Sequence, residues 1–178
     1  MGTVLHARAE QGSSRSPLQV GAELYGHAGV ESDVEILNLM LNMLAEVGIK
    51  GVSVDLGHVG IFRGLSQQAG LKDEQEQMLF DALQRKSKPE ISEYLSNSAI
   101  DSDLATMILA LADLNGGVEV LERARSVLAN ASSAVHQAID NVSEIADQVK
   151  QRNPAAVLHF DLAELRGFNY HTGVVFAA

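Results

Sequence analysis

The fold of this chain is decided near its C-terminus, by the stretch Glu164-Leu165-Arg166-Gly167-Phe168-Asn169-Tyr170-His171-Thr172-Gly173-Val174-Val175-Phe176. A cation and a glycine lead here into an aromatic-rich run of β character, with a second glycine inside the run. Such a run offers a fixed charge, ring faces and close access to the backbone. These are the parts that a pocket needs in order to hold a small zwitterion.

Arg166 has two interpretations from its position alone. Its planar guanidinium would hold a carboxylate through two hydrogen bonds. Alternatively, Arg166 ends a strand or pairs with Asp161 or Glu164. The two interpretations are equally supported at this point.

A second segment, near the N-terminus, belongs with the first. Residues 18–25 alternate between apolar and other side chains, which predicts a half-buried strand. Gln19 and Glu23 would share one face of that strand, with Gly21 between them. That face is either the floor of a ligand site or an ordinary solvent-facing strand face. The opposite face would carry Leu18, Val20, Ala22 and Leu24.

The first third of the chain predicts the order strand, helix, strand. Ser32-Asp33-Val34-Glu35 has the form of a capping box, and the apolar residues after it keep a helical spacing up to Val47. Gly48 is a natural residue to end that helix. Residues 51–57 alternate between bounding glycines and predict the second strand.

The centre of the chain, residues 59–152, has helical patterns throughout. Residues 73–76 repeat the capping chemistry, Pro89 suits a first helical turn, and Asp101 or Ser102 opens a further helix. The longest pattern predicts an amphipathic helix of about five turns that packs on the domain. Its apolar positions are Val135, Ile139, Val142, Ala146 and Val149.

Strand character returns at residues 157–162 and 169–176. The predicted fold class is therefore α+β, with four strands divided between the two ends of a helical block. Strands from the two ends must pair, and we expect antiparallel pairing with helices packed on one face of the sheet. A length of 178 residues suits a single domain.

Composition argues against several classes of function. The formal charge is −10 and the 13 Lys and Arg residues are scattered, so we expect no nucleic-acid partner. No apolar run reaches the about 18 residues of a membrane span, so we expect no membrane partner. The chain has no cysteine, which excludes disulfides and thiolate metal sites. A cytoplasmic protein is the simplest interpretation.

Familiar catalytic and metal motifs are absent from the sequence. The glycines of residues 57–64 lack the Lys-Ser/Thr pair of a phosphate loop, and the six histidines are dispersed without an HExxH motif. Ser14 and Ser16 lack the context of a nucleophile elbow. We therefore expect no catalytic residue, no metal site and no cofactor.

Two separated segments resemble the histidyl-tRNA synthetases. Residues 166–176 resemble the signature Arg-Gly-Leu-Asp-Tyr-Tyr-Thr-Gly, which an apolar strand follows. Residues 19–26, with residues 31–36 after them, resemble the strand and helix that follow motif 2 in the same enzymes. Both matches occur in the right order. The resemblance implies a class II aminoacyl-tRNA synthetase-like antiparallel sheet with packed helices and a central helical block.

Departures from the synthetase pattern change what the resemblance implies. Motif 2 carries an arginine that holds the ATP α-phosphate, which is Leu5 here, and a glutamate, which is Ala7. The second tyrosine of the C-terminal signature is His171, and its aspartate is Asn169. This pattern resembles the regulatory subunits of ATP phosphoribosyltransferase. Those synthetase-like proteins do not aminoacylate and serve the first step of histidine biosynthesis with a short-form catalytic subunit.

Five ligand-binding residues are implied by the resemblance, and no catalytic one. Gln19 and Glu23 match the strand residues that hold the amino group and imidazole of histidine. Arg166 matches the arginine near the histidine carboxylate, and His171 matches the tyrosine near the imidazole. Tyr170 matches the first tyrosine of the pair.

The implied function is that of an allosteric, non-catalytic subunit. It would bind a histidine-like ligand and a short-form ATP phosphoribosyltransferase catalytic subunit. Residues 1–178 would be the core fragment of a longer protein that forms homo-oligomers, without counterparts of motifs 1 and 3. Residues 59–152 would be a helical segment between the β-forming ends.

Two alternative functions stay open. The first is a genuine histidyl-tRNA synthetase, and Leu5, Ala7 and the acidic charge count against it. The second is a stand-alone histidine-sensing module that acts on another partner.

Overall fold

A computed structural model of the chain describes residues 1–5, 15–165 and 170–178. Near the N-terminus, strand β1 (Gly2–Thr3) pairs antiparallel with strand β2 (Leu18–Gln19). Helix α1 (Val30–Glu46) follows, and strand β3 (Ser53–His58) comes next. The predicted order of strand, helix and strand is therefore confirmed for the first third of the chain.

The predicted strand over residues 18–25 is wrong beyond Gln19. Residues 20–25 are not in a strand, and the side chains of Leu18, Val20 and Leu24 are 66%, 53% and 39% exposed. The partner strand β1 has only two residues, so the ladder has no strand on which to continue. Because no long partner strand is present, the alternating residues after Gln19 form no buried face.

Helix α1 ends as predicted but begins differently. Its N-cap is Gly29, and Ser32 lies inside the first turn, so the predicted capping box is wrong. At the other end Gly48 has a φ of 81°, and Ile49 N–H donates to the Leu44 carbonyl at 3.0 Å. This is the pattern of a Schellman motif, in which glycine avoids the steric penalty of the left-handed region.

The helical block begins directly after β3. It contains helices α2 (Val59–Gln68), α3 (Asp73–Gln84), α4 (Lys88–Ser96), α5 (Ser102–Ala110), α6 (Glu119–Val127) and α7 (Ser133–Arg152). A 3-10 turn at Leu111–Asp113 and strand β4 (Asn115–Gly116) separate α5 from α6. In the described ranges, no helix has both the length and the apolarity to cross a membrane.

Two helix starts in the block follow the sequence signals, whereas the predicted cap at residues 73–76 is wrong because Lys72 is the N-cap of α3 and Asp73 is its first helical residue. The Asp101 carboxylate accepts the N–H of Asp103 at 2.9 Å, and α5 begins at the next residue after this cap. Pro89 lies in the first turn of α4, as predicted. The block also departs from a purely helical prediction, because β4 joins the main sheet.

The main sheet has the strand order β4-β5-β3-β6. Strand β5 (Val157–Asp161) runs parallel to β3, and Leu56 lies opposite Phe160. Strand β6 (Val174–Ala177) runs antiparallel to β3, and Leu56 lies opposite Phe176. Strand β4 pairs antiparallel with β5. Thus β3 occupies an inner position between strands from the C-terminal end of the chain.

This sheet confirms the α+β class but is mixed in direction. Antiparallel pairing, as predicted, holds for β3 with β6 and for β4 with β5. The pair of β3 with β5 is parallel, because the helical block returns the chain to the end of the sheet where β3 began. A long helical crossover is the usual connection between parallel neighbours.

The last strand is shorter than predicted. Strand β6 begins at Val174, so the predicted strand over residues 169–176 is wrong for Tyr170 to Gly173. Asn169, where that prediction began, lies outside the described residues.

The core lies where α7 contacts α1, α2, β3 and β6. All five apolar positions predicted for the long helix are buried, namely Val135, Ile139, Val142, Ala146 and Val149. Spacings of four and three keep these side chains on one face of the helix. Burial of each larger one contributes about 1.5–3 kcal/mol.

A close approach of backbone to backbone occurs at Gly57 in β3. A Cβ atom at residue 57 would lie 2.7 Å from the Asp161 carbonyl oxygen and 2.9 Å from the Glu164 Cβ. Both distances are well inside the about 3.5 Å at which carbon atoms attract rather than repel. Only glycine therefore suits this position, and it lets the segment before Arg166 lie directly against the inner strand.

We predict that Gly57→Ala lowers the free energy of unfolding by about 1–3 kcal/mol, because the added methyl group must displace backbone atoms. Urea denaturation measures the change. Gly2→Ala is the matched control, since a Cβ there would meet no atom within 4 Å. Equal stability of the two variants would contradict the close approach.

Candidate functional site

The segment before Arg166 is fixed at the end of β5. The Asp161 carboxylate accepts the N–H of Ala163 at 3.1 Å and pairs with Lys86 Nζ at 2.6 Å. The Leu165 side chain is completely buried. Arg166 follows in the sequence but lies outside the described residues, so its predicted role stays a prediction.

Lys86 forms this ion pair from an unusual backbone conformation. Its φ is 50°, in the left-handed region that costs a residue with a Cβ about 1–2 kcal/mol. It lies in the turn between α3 and α4, where Ser87 N–H donates to the Ala82 carbonyl at 2.9 Å. Glycine is the usual residue here. The ion pair with the mostly buried Asp161 carboxylate offsets part of that cost and joins the helical block to the sheet.

Gln19 and Glu23 line one concavity, although the segment that carries them is not a strand. The concavity has a volume of about 480 Å³, and residues 2–4 and Gly21 also contribute to its wall. Both side chains are exposed. The structure therefore brings together the two polar residues that the sequence placed in one ligand site.

Tyr25 is a member of this group that the sequence argument missed. Its hydroxyl donates a hydrogen bond to the Glu23 carboxylate. That hydrogen bond and the charge of Glu23 raise the pKa of the Tyr25 hydroxyl above its ordinary value, and the charge of Tyr170 adds to the rise. The alternation of residues 18–25 placed Tyr25 on the face of Glu23, which was the available signal.

Tyr170 and His171 lie at the C-terminal side of the same region. Their ring centroids are 5.5 Å apart with an interplanar angle of 87°, an edge-to-face arrangement. Tyr170 is 88% exposed. Four of the five predicted site residues, Gln19, Glu23, Tyr170 and His171, thus lie in the part of the chain that the structure describes.

Helix α2 holds the backbone that carries His171. Arg63 Nη1 donates to the His171 carbonyl oxygen at 3.2 Å. Val59 N–H donates to the Gly173 carbonyl oxygen at 3.2 Å. These bonds attach the irregular stretch before β6 to the first two turns of α2. They replace the strand pairing that was predicted for this stretch.

His58 is a second residue that sequence reasoning left without a role. Its Nδ1 accepts the N–H of Gly60 at 3.0 Å and so caps α2. Burial lowers the pKa of His58 to about 4, so the ring is neutral near pH 7. Its proton then lies on Nε2. The position directly between a strand and a helix was the signal for a capping role.

We predict that His58 makes stability depend on pH. Its pKa is about 4 in the folded chain and 6.5 ordinarily, so below pH 6.5 the unfolded state takes up a proton that the folded state does not. Stability falls as the pH drops through this window and is unaffected above it.

His58→Asn keeps a cap acceptor without a titrating group. Urea denaturation at about pH 7.5 and about pH 5 measures the unfolding free energy of both proteins. The wild type should lose more stability than His58→Asn between the higher and the lower pH. A difference that does not change with pH would contradict the prediction.

Within residues 1–5, 15–165 and 170–178, no three or more His, Asp or Glu side chains are grouped so that they could hold a metal ion. Leu5, which we align with the synthetase arginine, is 83% exposed. His6, Ala7 and Arg8 lie outside the described residues.

Solved structures define the class of fold to which this arrangement belongs. An ATP phosphoribosyltransferase regulatory subunit/histidyl-tRNA synthetase from Bacillus halodurans superposes with a TM-score of 0.74 at 22% identity, over 85% of this chain and 39% of that one. A chain of the ATP phosphoribosyl transferase (HisG:HisZ) complex from Thermotoga maritima gives 0.61 at 17%, over 83% of this chain and 50% of that one. The fold is therefore that of the synthetase-like α+β proteins.

Comparison of the sequence with known proteins establishes the family. The profile of histidyl-tRNA synthetases matches residues 1–178, and the chain belongs to this family. It is also 54% identical, over 179 aligned residues, to the ATP phosphoribosyltransferase regulatory subunit of Alkalilimnicola ehrlichii. That alignment covers 100% of this chain and 45% of the relative, so the chain spans about half the length of the relative.

Proposed function

We propose that this chain is the core of a regulatory subunit of ATP phosphoribosyltransferase, which acts in the first step of histidine biosynthesis. One observation carries the proposal, namely 54% identity across the whole chain to a protein of that name. The relative is about twice as long, which supports residues 1–178 as one part of a longer subunit. The subunit would work in the cytoplasm as a homo-oligomer with a short-form catalytic partner.

A leucine at the position that we align with the motif 2 arginine supports a role without catalysis. Activation of an amino acid needs a cation that stabilises charge on the ATP α-phosphate. Leu5 stands at that position and cannot supply it. A glutamate of the same motif is Ala7. A site that keeps its amino-acid contacts and lacks its phosphate contact binds a ligand without activating it.

The described residues support histidine as the ligand. Glu23 offers a carboxylate to an ammonium or imidazole N–H, and Gln19 offers an amide in the same concavity. The Glu23 carboxylate accepts a hydrogen bond from the Tyr25 hydroxyl. Arg166, which we place at the histidine carboxylate, and His171, which we place at the imidazole, would complete the site.

We predict that Glu23→Gln weakens binding of L-histidine at least tenfold, about 1.4 kcal/mol, because it removes the negative charge opposite the ligand cation. Isothermal titration calorimetry on the full-length protein that contains residues 1–178 measures the affinity. Glu46→Gln, at the exposed end of α1, is the control of equal charge change and should bind like wild type. Equal affinities for wild type and both variants would exclude Glu23 from the site.

The regulatory role itself is tested by reconstitution. Addition of the full-length protein to a short-form ATP phosphoribosyltransferase catalytic subunit should raise its turnover, and L-histidine should change that turnover. No effect of the protein on turnover would refute the proposal.

A second function, histidyl-tRNA synthetase, is favoured by the family profile that matches the whole chain. The two functions are separated by histidine-dependent ATP–pyrophosphate exchange. Exchange by the full-length protein would establish the synthetase, and its absence is expected for a regulatory subunit because of Leu5 and Ala7.

A further inference from the structure

Helix α1 carries apolar side chains on two of its faces. The residues of the buried face are Val34, Leu37 and Leu41. A second row consists of Leu39, Met43 and Val47, which repeat every four residues along the helix and are 40%, 39% and 73% exposed. A surface helix of a free-standing domain normally turns a polar face toward solvent. The second row of α1 does not fit that pattern.

The exposed row borders an apolar concavity of about 290 Å³. Its walls come from the segment after β2, from α1 and from β6, and Leu39 and Met43 belong to them. All the described residues that line it are apolar or glycine. The α1 patch is this concavity together with the exposed row. Its members include Val20, Ala22, Leu39, Met43, Val47 and Phe176.

Exposed apolar side chains are concentrated near this patch. Most of the large apolar side chains that are exposed in the described residues belong to residues 1–49. The long helix α7, by contrast, buries its apolar face completely at Val135, Ile139 and Val142. A contiguous apolar surface on an otherwise well-packed protein marks an interface.

We propose that the α1 patch is an internal interface, covered by polypeptide of the same subunit that lies outside residues 1–178. The inference rests on the longer subunit of the proposed function. The alignment with the Alkalilimnicola ehrlichii relative covers 45% of that protein, so more than half of its length has no counterpart in this chain. The covering segment would present an apolar face, because the patch offers no charged side chain to pair with it.

The position of the patch favours the same polypeptide over a second copy. Residues 2–4 share a concavity with Ala22, and Phe176 lines the patch itself. Polypeptide attached at either end would therefore start beside the patch and would have a high effective concentration there. A second copy would lose translational and rotational freedom on binding, which an attached segment does not.

Methionine oxidation measures this cover directly, since hydrogen peroxide converts an accessible thioether into a sulfoxide. Met43 lies in the patch, and Met78 on α3 lies outside it and is 59% exposed. The full-length protein is treated in the absence of histidine and of the catalytic partner. Mass spectrometry of its peptides gives the oxidation rate of each methionine, and the same protein unfolded in urea gives the reference rates.

We expect Met43 to be oxidised about fivefold or more slowly in the folded than in the unfolded protein, because the covering segment excludes the oxidant. Met78 should keep most of its rate. Smaller protection of Met43 overturns the proposal.

A variant pair separates the same subunit from a second copy. Met43→Gln keeps the length of the side chain but places an amide in an apolar interface, where it loses its water. The urea midpoint of the full-length variant should fall by about 0.3 M or more, with an unchanged sedimentation coefficient. Met78→Gln, the same change on an exposed helix face, should alter neither quantity.

Dissociation of Met43→Gln into monomers would place a second copy on the patch and overturn the proposal. An unchanged urea midpoint would overturn it as well. Neither measurement uses histidine or the catalytic partner, so failure of the interface leaves the proposed function standing.

Discussion

The constraint on which the other features depend is the lack of room for a side chain at residue 57. The inner strand β3 pairs with β5 on one side and β6 on the other. The backbone after β5 returns across β3 at Gly57, close enough that a Cβ would meet a carbonyl oxygen at 2.7 Å. This crossing fixes the residues that lead into Arg166. The β6 pairing fixes the residues that follow Gly173.

The candidate site is assembled from three parts that are far apart in the sequence. The N-terminal segment contributes Glu23 and Tyr25, and the C-terminal stretch contributes Tyr170 and His171. Helix α2 contributes Arg63, which holds the backbone of His171. A ligand at the proposed site would lie near a backbone that helix α2 also holds, so its binding would act on that helix through the Arg63 hydrogen bond to His171. That property suits the regulatory role that we propose.

The sequence predicted most reliably what depends on one element alone. The spacing of Val135 to Val149 requires only a helix and a core, and Gly48 requires only a helix end, so both predictions hold. Features that depend on a neighbouring strand or on another segment of the chain were not predicted. The alternation of residues 18–25 needs a neighbouring strand, and β1 supplies only two residues. The direction of β5 depends on the whole helical block. The link from Tyr25 to Glu23 needs the local path of a segment that is not a strand.

Native-state hydrogen exchange tests most directly whether β3 unites the two ends of the chain. If it does, amides in β5, β6 and α7 exchange only through global unfolding, and their opening free energies equal the stability measured by urea. We predict this equality for all three elements. An opening free energy for β6 several kcal/mol below those of β5 and α7 would contradict it, because β6 would then open independently of the strand that positions the candidate site.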